Sequence, residues 1–426
     1  MGYCKLMTTD VAALGLERTL DAAQQAFEQL SSLTGADRNR AIRAITKRLS
    51  QSFDQILEAN TLDLEISREM AVADCLLDWL KLTPERLATT VTILTQLAQL
   101  PDPLQRVMYA PYQLNPSQTY CQLMPLGLVG LVYEAFPELG AIAAGFCLKT
   151  GNSLILRSCG ASSHSTAAIC DLVRDSLLDI DFPAASVSNL PSDEVPIVQD
   201  LVSRSDRLNL IIPYGRPSFV EQISQQALVP VLKVGMGNCC LYWSSKGDLE
   251  LVRQMILDSH ASEPDPVNAI EKVLISPVQS ATSLVRLFNN LHEKGFKLRG
   301  DPALCEQFSH HLTLAKDTEW HKSYLDKTIA FHLVPNLKAG IAWINRHSSG
   351  HADCIATDSY QESRQFAMGI DSALVYINTS PYFCRNPGQG DSIFLGVSNQ
   401  KGQRRGLIGL EAFTTPKQVV QGISRV

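Results

Sequence analysis

The sequence predicts a doubly wound α/β fold with a second α/β domain, on three observations. Residues 124–157, MPLGLVGLVYEAFPELGAIAAGFCLKTGNSLILR, join strand, helix and strand signals without slack. Short-linked alternation of strand and helix patterns continues from there to about Thr379. A chain of 426 residues also exceeds what a single core usually holds.

Taken in order, the chain opens helically. The segments DAAQQAFEQLSSL, RNRAIRAITKRLSQSFDQILEAN and LTPERLATTVTILTQLAQL carry apolar residues three and four apart and predict three helices between Leu20 and about Leu100. Thr83, Pro84 and Glu85 read as the N-cap and first turn of the third. The PDP at 101–103 ends this block, and the alternating Tyr- and Gln-bearing stretch 105–123 predicts an exposed strand flap. Within the central stretch, Val129, Val132 and Tyr133 favour a strand, and Pro137 and Glu138 suit the first turn of a helix. Ala141, Ala144, Phe146 and Leu148 give that helix an apolar face, Gly151 and Asn152 stop it, and Leu154 to Leu156 form a buried strand.

Beyond it, helices are expected at 163–178, 193–203 and 217–227, with strands near Val187, at 208–212 and at 229–234. A second domain follows, with helices at 248–259 and 280–294 and strands near Val273, near Ala330 and at 373–377. The Gly-, Asn- and Gln-rich run 385–403 reads as a loop, and 407–417 as a terminal strand and turn.

Composition excludes several function classes. A net charge of −6 with scattered Lys and Arg gives no nucleic-acid or anionic-membrane footprint. The longest apolar stretch, 124–148, is interrupted by Glu134, Pro137 and Glu138 and does not span a membrane. Eleven cysteines without a CxxC pair fit a reducing cytoplasm better than a disulfide framework or a metal cluster. Gly235-Met-Gly237 begins like a dinucleotide fingerprint, but Cys240 stands where the third Gly belongs. Cys239 and Cys240 are adjacent, so in a strand they face opposite ways and one of them is expected to be buried and inert. His310, His311 and His321 lack metal-ligand spacing.

Many ordered segments then carry a resemblance: EANTLDLE at 58–65, LTPERL at 82–87, LPDP at 100–103, PLGLVGLVYEA at 125–135, CLKTGNSLILR at 147–157, HADCIAT at 351–357, DSALVYIN at 371–378 and SNQKGQRRGLIGLEAFTT at 398–415. From about Asp21 to its end the chain resembles the γ-glutamyl phosphate reductases (glutamate-5-semialdehyde dehydrogenases), a branch of the aldehyde dehydrogenase superfamily. The resemblance implies an aldehyde dehydrogenase-like α/β fold. It divides into a cofactor domain at 1–104 and 124–235, a catalytic-type domain at 236–384, and an oligomerisation flap at 105–123 and 395–426. It also implies NADPH-dependent reduction of L-glutamyl 5-phosphate to L-glutamate 5-semialdehyde in proline synthesis, a small-molecule substrate, a cytoplasmic location, and a homodimer or higher homo-oligomer. The family mechanism uses a cysteine thiolate to displace phosphate and form a thioester, which splits one hard step into two.

Departures from the family pattern gather at that chemistry. Residues 262–268 read SEPDPVN, so Pro264 and Asn268 match while Val267 stands where the nucleophilic Cys belongs. Phe136-Pro137-Glu138 replaces Arg-Pro-Asn, removing a bidentate phosphate partner and an oxyanion donor. Tyr214-Gly215-Arg216 replaces Arg-Gly-Gly, Ser158-Cys159-Gly160 replaces Gly-Gly-Lys, and Phe394 replaces the acid ending a Gly-rich loop. The expected catalytic positions are therefore Val267, Asn268 and Glu138. The expected cofactor positions are Arg157, Tyr214 and Gly215, with a strand-end salt bridge as the alternative for Arg157. Two readings follow: a reductase of this family, or an inactive member serving as a regulatory, nucleotide-binding or interaction protein.

Overall fold

A computed structural model of the chain describes residues 2–110, 118–190, 196–261, 267–388, 392–402 and 404–422. It falls into two compact units, one of Met1–Lys233, Arg385–Leu395 and Leu407–Val426, the other of Val234–Cys384 and Gly396–Gly406.

The first unit opens with five helices, α1 (Gly2–Leu30), α2 (Gly35–Gln51), α3 (Phe53–Glu69), α4 (Asp74–Leu80) and α5 (Pro84–Gln99). Thr34 starts α2 through a reciprocal box with Asp37, and Thr83 accepts from Arg86 N–H to start α5, with Pro84 in the first turn as expected. The single helix expected over 38–60 is two, broken at Ser52. The break lets each helix turn its own face inward: α2 buries Ile42, Ile45 and Leu49, and α3 buries Ile56 with the polar Asn60, Asp63 and Ser67. Asn60 accepts from Leu82 N–H at 2.8 Å and donates to Leu80 O at 2.9 Å, which fixes the turn between α4 and α5.

Strands β1 (Val107–Tyr109) and β2 (Gln118–Pro125) form a three-stranded antiparallel flap with the C-terminal strand Thr414–Gln421, β2 in the middle. The expected strand–helix–strand unit is β3 (Leu128–Tyr133), α6 (Leu139–Lys149) and β4 (Ser153–Ser158), with β3 and β4 parallel. Every residue of α6 is buried, because α2 and α5 cover the side turned away from the sheet. Then come α7 (Ser163–Leu178), β5 (Val187–Asn189), α8 (Pro196–Ser203), β6 (Leu210–Gly215) and α9 (Pro217–Gln226), giving the parallel order β5–β4–β3–β6. Asp63 caps α7, accepting from His164 N–H at 3.0 Å and Ser165 N–H at 2.7 Å. The part of the 193–203 helix before Pro196 lies outside the described residues. The strand expected over 229–234 is reduced within this unit to a bridge of Val231 to Ile211, since Pro230 beside it has no N–H to give.

The second unit is built on a seven-stranded parallel sheet in the order Thr313–Leu314, Lys297–Gly300, Thr328–Leu333, Ile270–Ile275, Cys239–Trp243, Ala352–Ala356 and Leu374–Ile377. Cys239–Trp243 lies inside this sheet with a core on each face: Leu241 and Trp243 enter one, Cys240 and Tyr242 the other. Both cysteines are consequently fully buried, which corrects the expectation that one of them would be. Among the described residues no helix is long and apolar enough to cross a membrane, and no group of three or more His, Cys, Asp or Glu is arranged to hold a metal ion.

Candidate active site

In the first unit the expected site positions collect at the C-terminal ends of β3, β4 and β6, where Tyr133 pairs in register with Ser158 on one side and Tyr214 on the other. That end of a parallel sheet is where ligands enter doubly wound folds.

The chain leaves β3 through Glu134 and turns at Phe136, whose φ of +65° is rare for a bulky residue. Phe136 is held there by aromatic neighbours: Trp79 stacks on it at 5.0 Å between centroids, and Tyr214 meets it edge-on at 5.6 Å. The Tyr214 hydroxyl accepts from Arg385 Nη2 at 2.7 Å. Glu138, at the N-cap of α6, is buried and ion-paired to Arg86 at 2.6 Å, and its Oε2 has no hydrogen-bond partner. Arg86 also donates to Trp79 O at 3.1 Å and to Lys81 O. Glu138 thus sits beside its own counter-ion, which offsets its charge.

Gly215 is required by what lies opposite it. Its φ is +152°, and a Cβ there would stand 2.8 Å from Glu134 Cβ and 2.9 Å from Glu134 Oε2. The buried Glu134 carboxylate accepts from Arg216 N–H at 3.0 Å and from Arg216 Nε at 2.9 Å, and this contact raises the Arg216 pKa.

Arg157 closes β4, nine-tenths buried, and donates from Nη1 to Ser158 O at 3.0 Å. It borders a cavity of about 220 Å³ whose floor is the strand-end run Arg157, Ser158, Cys159 and Gly160. Val198 of α8 and Phe219 and Ile223 of α9 form apolar walls, and Gln199, Gln222 and Gln226 supply neutral amides. Apolar walls with a few placed polar groups are the usual make-up of a cofactor pocket. Phe394 lies elsewhere, in a cavity of about 550 Å³ at the base of the flap bordered by the Arg106–Glu411 ion pair.

The second unit holds Val267 and Asn268, just before the strand Ile270–Ile275. Val267 is fully buried, and its carbonyl accepts from Gly237 N–H at 2.8 Å. A Cβ on Gly237 would lie 2.5 Å from Val267 O, 2.8 Å from Cys239 Sγ and 3.3 Å from His351 Cβ, so only glycine fits. Asn268 is 1% exposed and neither polar atom of its amide has a partner. His351 contacts Ser349 Oγ through Nδ1 at 2.9 Å, has no partner at Nε2, and is pushed down to about 4 by burial, so it is neutral at pH 7.

Among the described residues of this unit, the buried thiols of Cys239, Cys240 and Cys354 are poor nucleophiles. Burial, then the Asp353 carboxylate, drives the Cys239 and Cys240 thiols well above their usual range. The Lys272 amine is buried, donates to Lys322 O at 3.1 Å and lies 3.8 Å over the Tyr324 ring. Arg86, the Glu134–Arg216 pair, Arg385, Gly237 and His351 are the residues that sequence reasoning did not place. Arg86 lies in the LTPERL segment, which was a signal; Arg385 meets Tyr214 across 171 residues and gave none.

The profile of the aldehyde dehydrogenase family matches residues 7–238. "Gamma-glutamyl phosphate reductase 2" of Synechocystis sp. is 73% identical, over 98% of this chain and all of that protein. "Gamma-glutamyl phosphate reductase" of Gloeobacter violaceus is 34% identical, over 96% of this chain and 98% of that one. Among solved structures, a gamma-glutamyl phosphate reductase from Thermotoga maritima superposes with a TM-score of 0.86 at 29% identity, covering 96% of this chain and 99% of the other.

Proposed function

From a chain that belongs to the γ-glutamyl phosphate reductases of the aldehyde dehydrogenase family, we infer a nicotinamide-dependent reductase that converts L-glutamyl 5-phosphate to L-glutamate 5-semialdehyde and releases phosphate. The aldehyde dehydrogenase-like α/β fold is shared with its relatives. The observation that carries the activity is the 73% identity to a protein of that name over its whole length.

The residues of the first unit fit a nicotinamide dinucleotide. The cavity at the ends of β3 and β4 has room for a nucleoside-sized group, apolar walls for a flat ring, and Arg157 for an anion. Such a cofactor supplies hydride when bound; whether it carries the extra phosphate of NADPH, the form the resemblance implies, turns on the charge of this cavity. Tyr214 and Gly215 shape the neighbouring strand end, one through Arg385 and one by leaving room for Glu134. In the second unit the Asn268 amide, buried and unpartnered, is available to donate to a carbonyl oxygen as negative charge develops on it.

One observation favours a second reading. Val267 offers no nucleophile, and the buried thiols of the same unit stay protonated, so no thioester forms by the family route. The same fold would then serve as a nucleotide-binding protein without turnover. Purified protein given semialdehyde, phosphate and NAD⁺ or NADP⁺ separates the two. Phosphate-dependent cofactor reduction that survives Cys239→Ala and Cys240→Ala supports a reductase working without those thiols. Nucleotide binding with no turnover leaves the second reading.

A further inference from the structure

We propose that the cavity at the ends of β3 and β4 takes the dinucleotide whose adenosine ribose carries no phosphate, NADH in preference to NADPH. The inference rests on the cofactor reading above and deepens it.

Charge is the first argument. Among the described residues lining the cavity, Arg157 is the single charged side chain, and its Nη1 already donates to Ser158 O. The neighbouring cation, Arg216, is neutralised by the buried Glu134, so the pair adds no net charge. A phosphate monoester carries about 1.5 to 2 negative charges at pH 7. In a cavity rimmed by the exposed Gly160, Gln199 and Gln222 it stays hydrated, and one engaged guanidinium gives it little pairing beyond what water already supplies.

The second argument is the chemistry offered in place of cations. Gln222 and Gln226 stand four apart on α9, on the face that also carries Phe219 and Ile223 to the cavity, and Gln199 comes from α8. Carboxamides and the Ser158 hydroxyl donate and accept, which suits a ribose diol and gives a dianion no counter-charge.

Space is the third. Gly160 follows Cys159 on the cavity floor, its φ lies outside the left-handed range, and a Cβ built on it meets nothing within 4 Å. A long basic side chain is sterically admissible there, and glycine stands in its stead.

The test is equilibrium binding of NADH and NADPH to the purified chain at fixed ionic strength, by nicotinamide fluorescence or calorimetry, with no substrate present. NADH is expected to bind at least about tenfold more tightly, the low end of what a lost charged hydrogen bond costs. Gly160→Lys, checked for an unchanged circular dichroism spectrum, should tighten NADPH by about tenfold or more while NADH changes by less than about threefold. NADPH binding as tightly as NADH, or an unresponsive Gly160→Lys, overturns the preference and leaves the cofactor reading standing. If neither dinucleotide binds, both fall.

Discussion

The two units have absorbed their departures from the family pattern differently. In the first, each new side chain has acquired a partner: Phe136 packs on Trp79, Glu138 pairs with Arg86, and Tyr214 binds Arg385. In the second, Val267 is buried and apolar, while polar atoms near it have no partner, on Asn268, on Asn238 Oδ1 and on His351 Nε2. Buried polar groups are normally bonded, so the second pattern is one that a bound group would complete. The first unit also leaves Glu138 Oε2 and Arg86 Nε without a partner, but there the two charges are paired with each other.

The sharpest way to break this contrast is Val267→Cys. If the second unit lacks only its nucleophile, phosphate-dependent turnover should rise by roughly 10⁴ to 10⁶, the scale on which losses from a cooperating catalytic group are felt. No rise in the steady-state rate would show that the unbonded groups around position 267 are not a poised site. Stability should fall by about 0.5–1.5 kcal/mol, since one of the two buried branches of Val267 is lost.

Next in size is the buried pair of the first unit. Arg86→Met leaves Glu138 uncompensated and should cost about 3–5 kcal/mol in urea unfolding. Replacing Glu138 with Leu in the same chain should recover most of that. A single-variant cost below about 1 kcal/mol would mean that the pair is not what closes this region.

His351 gives a pH signature of the second unit. The folded imidazole stays neutral down to about 4, whereas the unfolded one takes up a proton near 6.5. Between these values the unfolded chain binds more protons, so stability increases with pH there and is lost as pH falls from 6.5 towards 4. The contribution is about 3 kcal/mol over the whole window, of which about 2 kcal/mol falls above pH 5, and His351→Gln should remove that part of the difference between pH 5 and pH 7. Glu271, raised by burial to about 7, and Asp353, raised by burial to about 6, act in the opposite sense. Both remain in the variant, so comparing unfolding midpoints at pH 5 and pH 7 in the two chains isolates the histidine.

The smallest effect is Tyr214→Phe, which removes the acceptor from Arg385 and should cost about 1.5–3 kcal/mol, with the Phe136 edge contact intact. An unchanged midpoint would indicate that the hydroxyl contributes nothing to this cluster.

Much of the architecture was legible because its signals are local. Thr83 and Pro84 announce the start of α5, Gly151 ends α6 at a φ of +73°, and the apolar run through Leu154 gives a buried strand. Failures occurred where neighbours decide. Ser52 divides a pattern that looks continuous, and Pro230 interrupts an apolar run. A strand covered on both faces shows no alternation to say which of Cys239 and Cys240 is hidden, and both are.

From the sequence alone came the alternating α/β order, the family, and the absence of sulfur at position 267, because each is written in consecutive residues or their chemical identity. Only the tertiary structure decided that Glu138 is neutralised, that Gly237 must be glycine, and that Asn268 and His351 keep unbonded polar atoms. Those facts depend on partners brought close from elsewhere in the chain, such as Arg86, 52 residues before Glu138, and no periodicity of the sequence encodes such a distance.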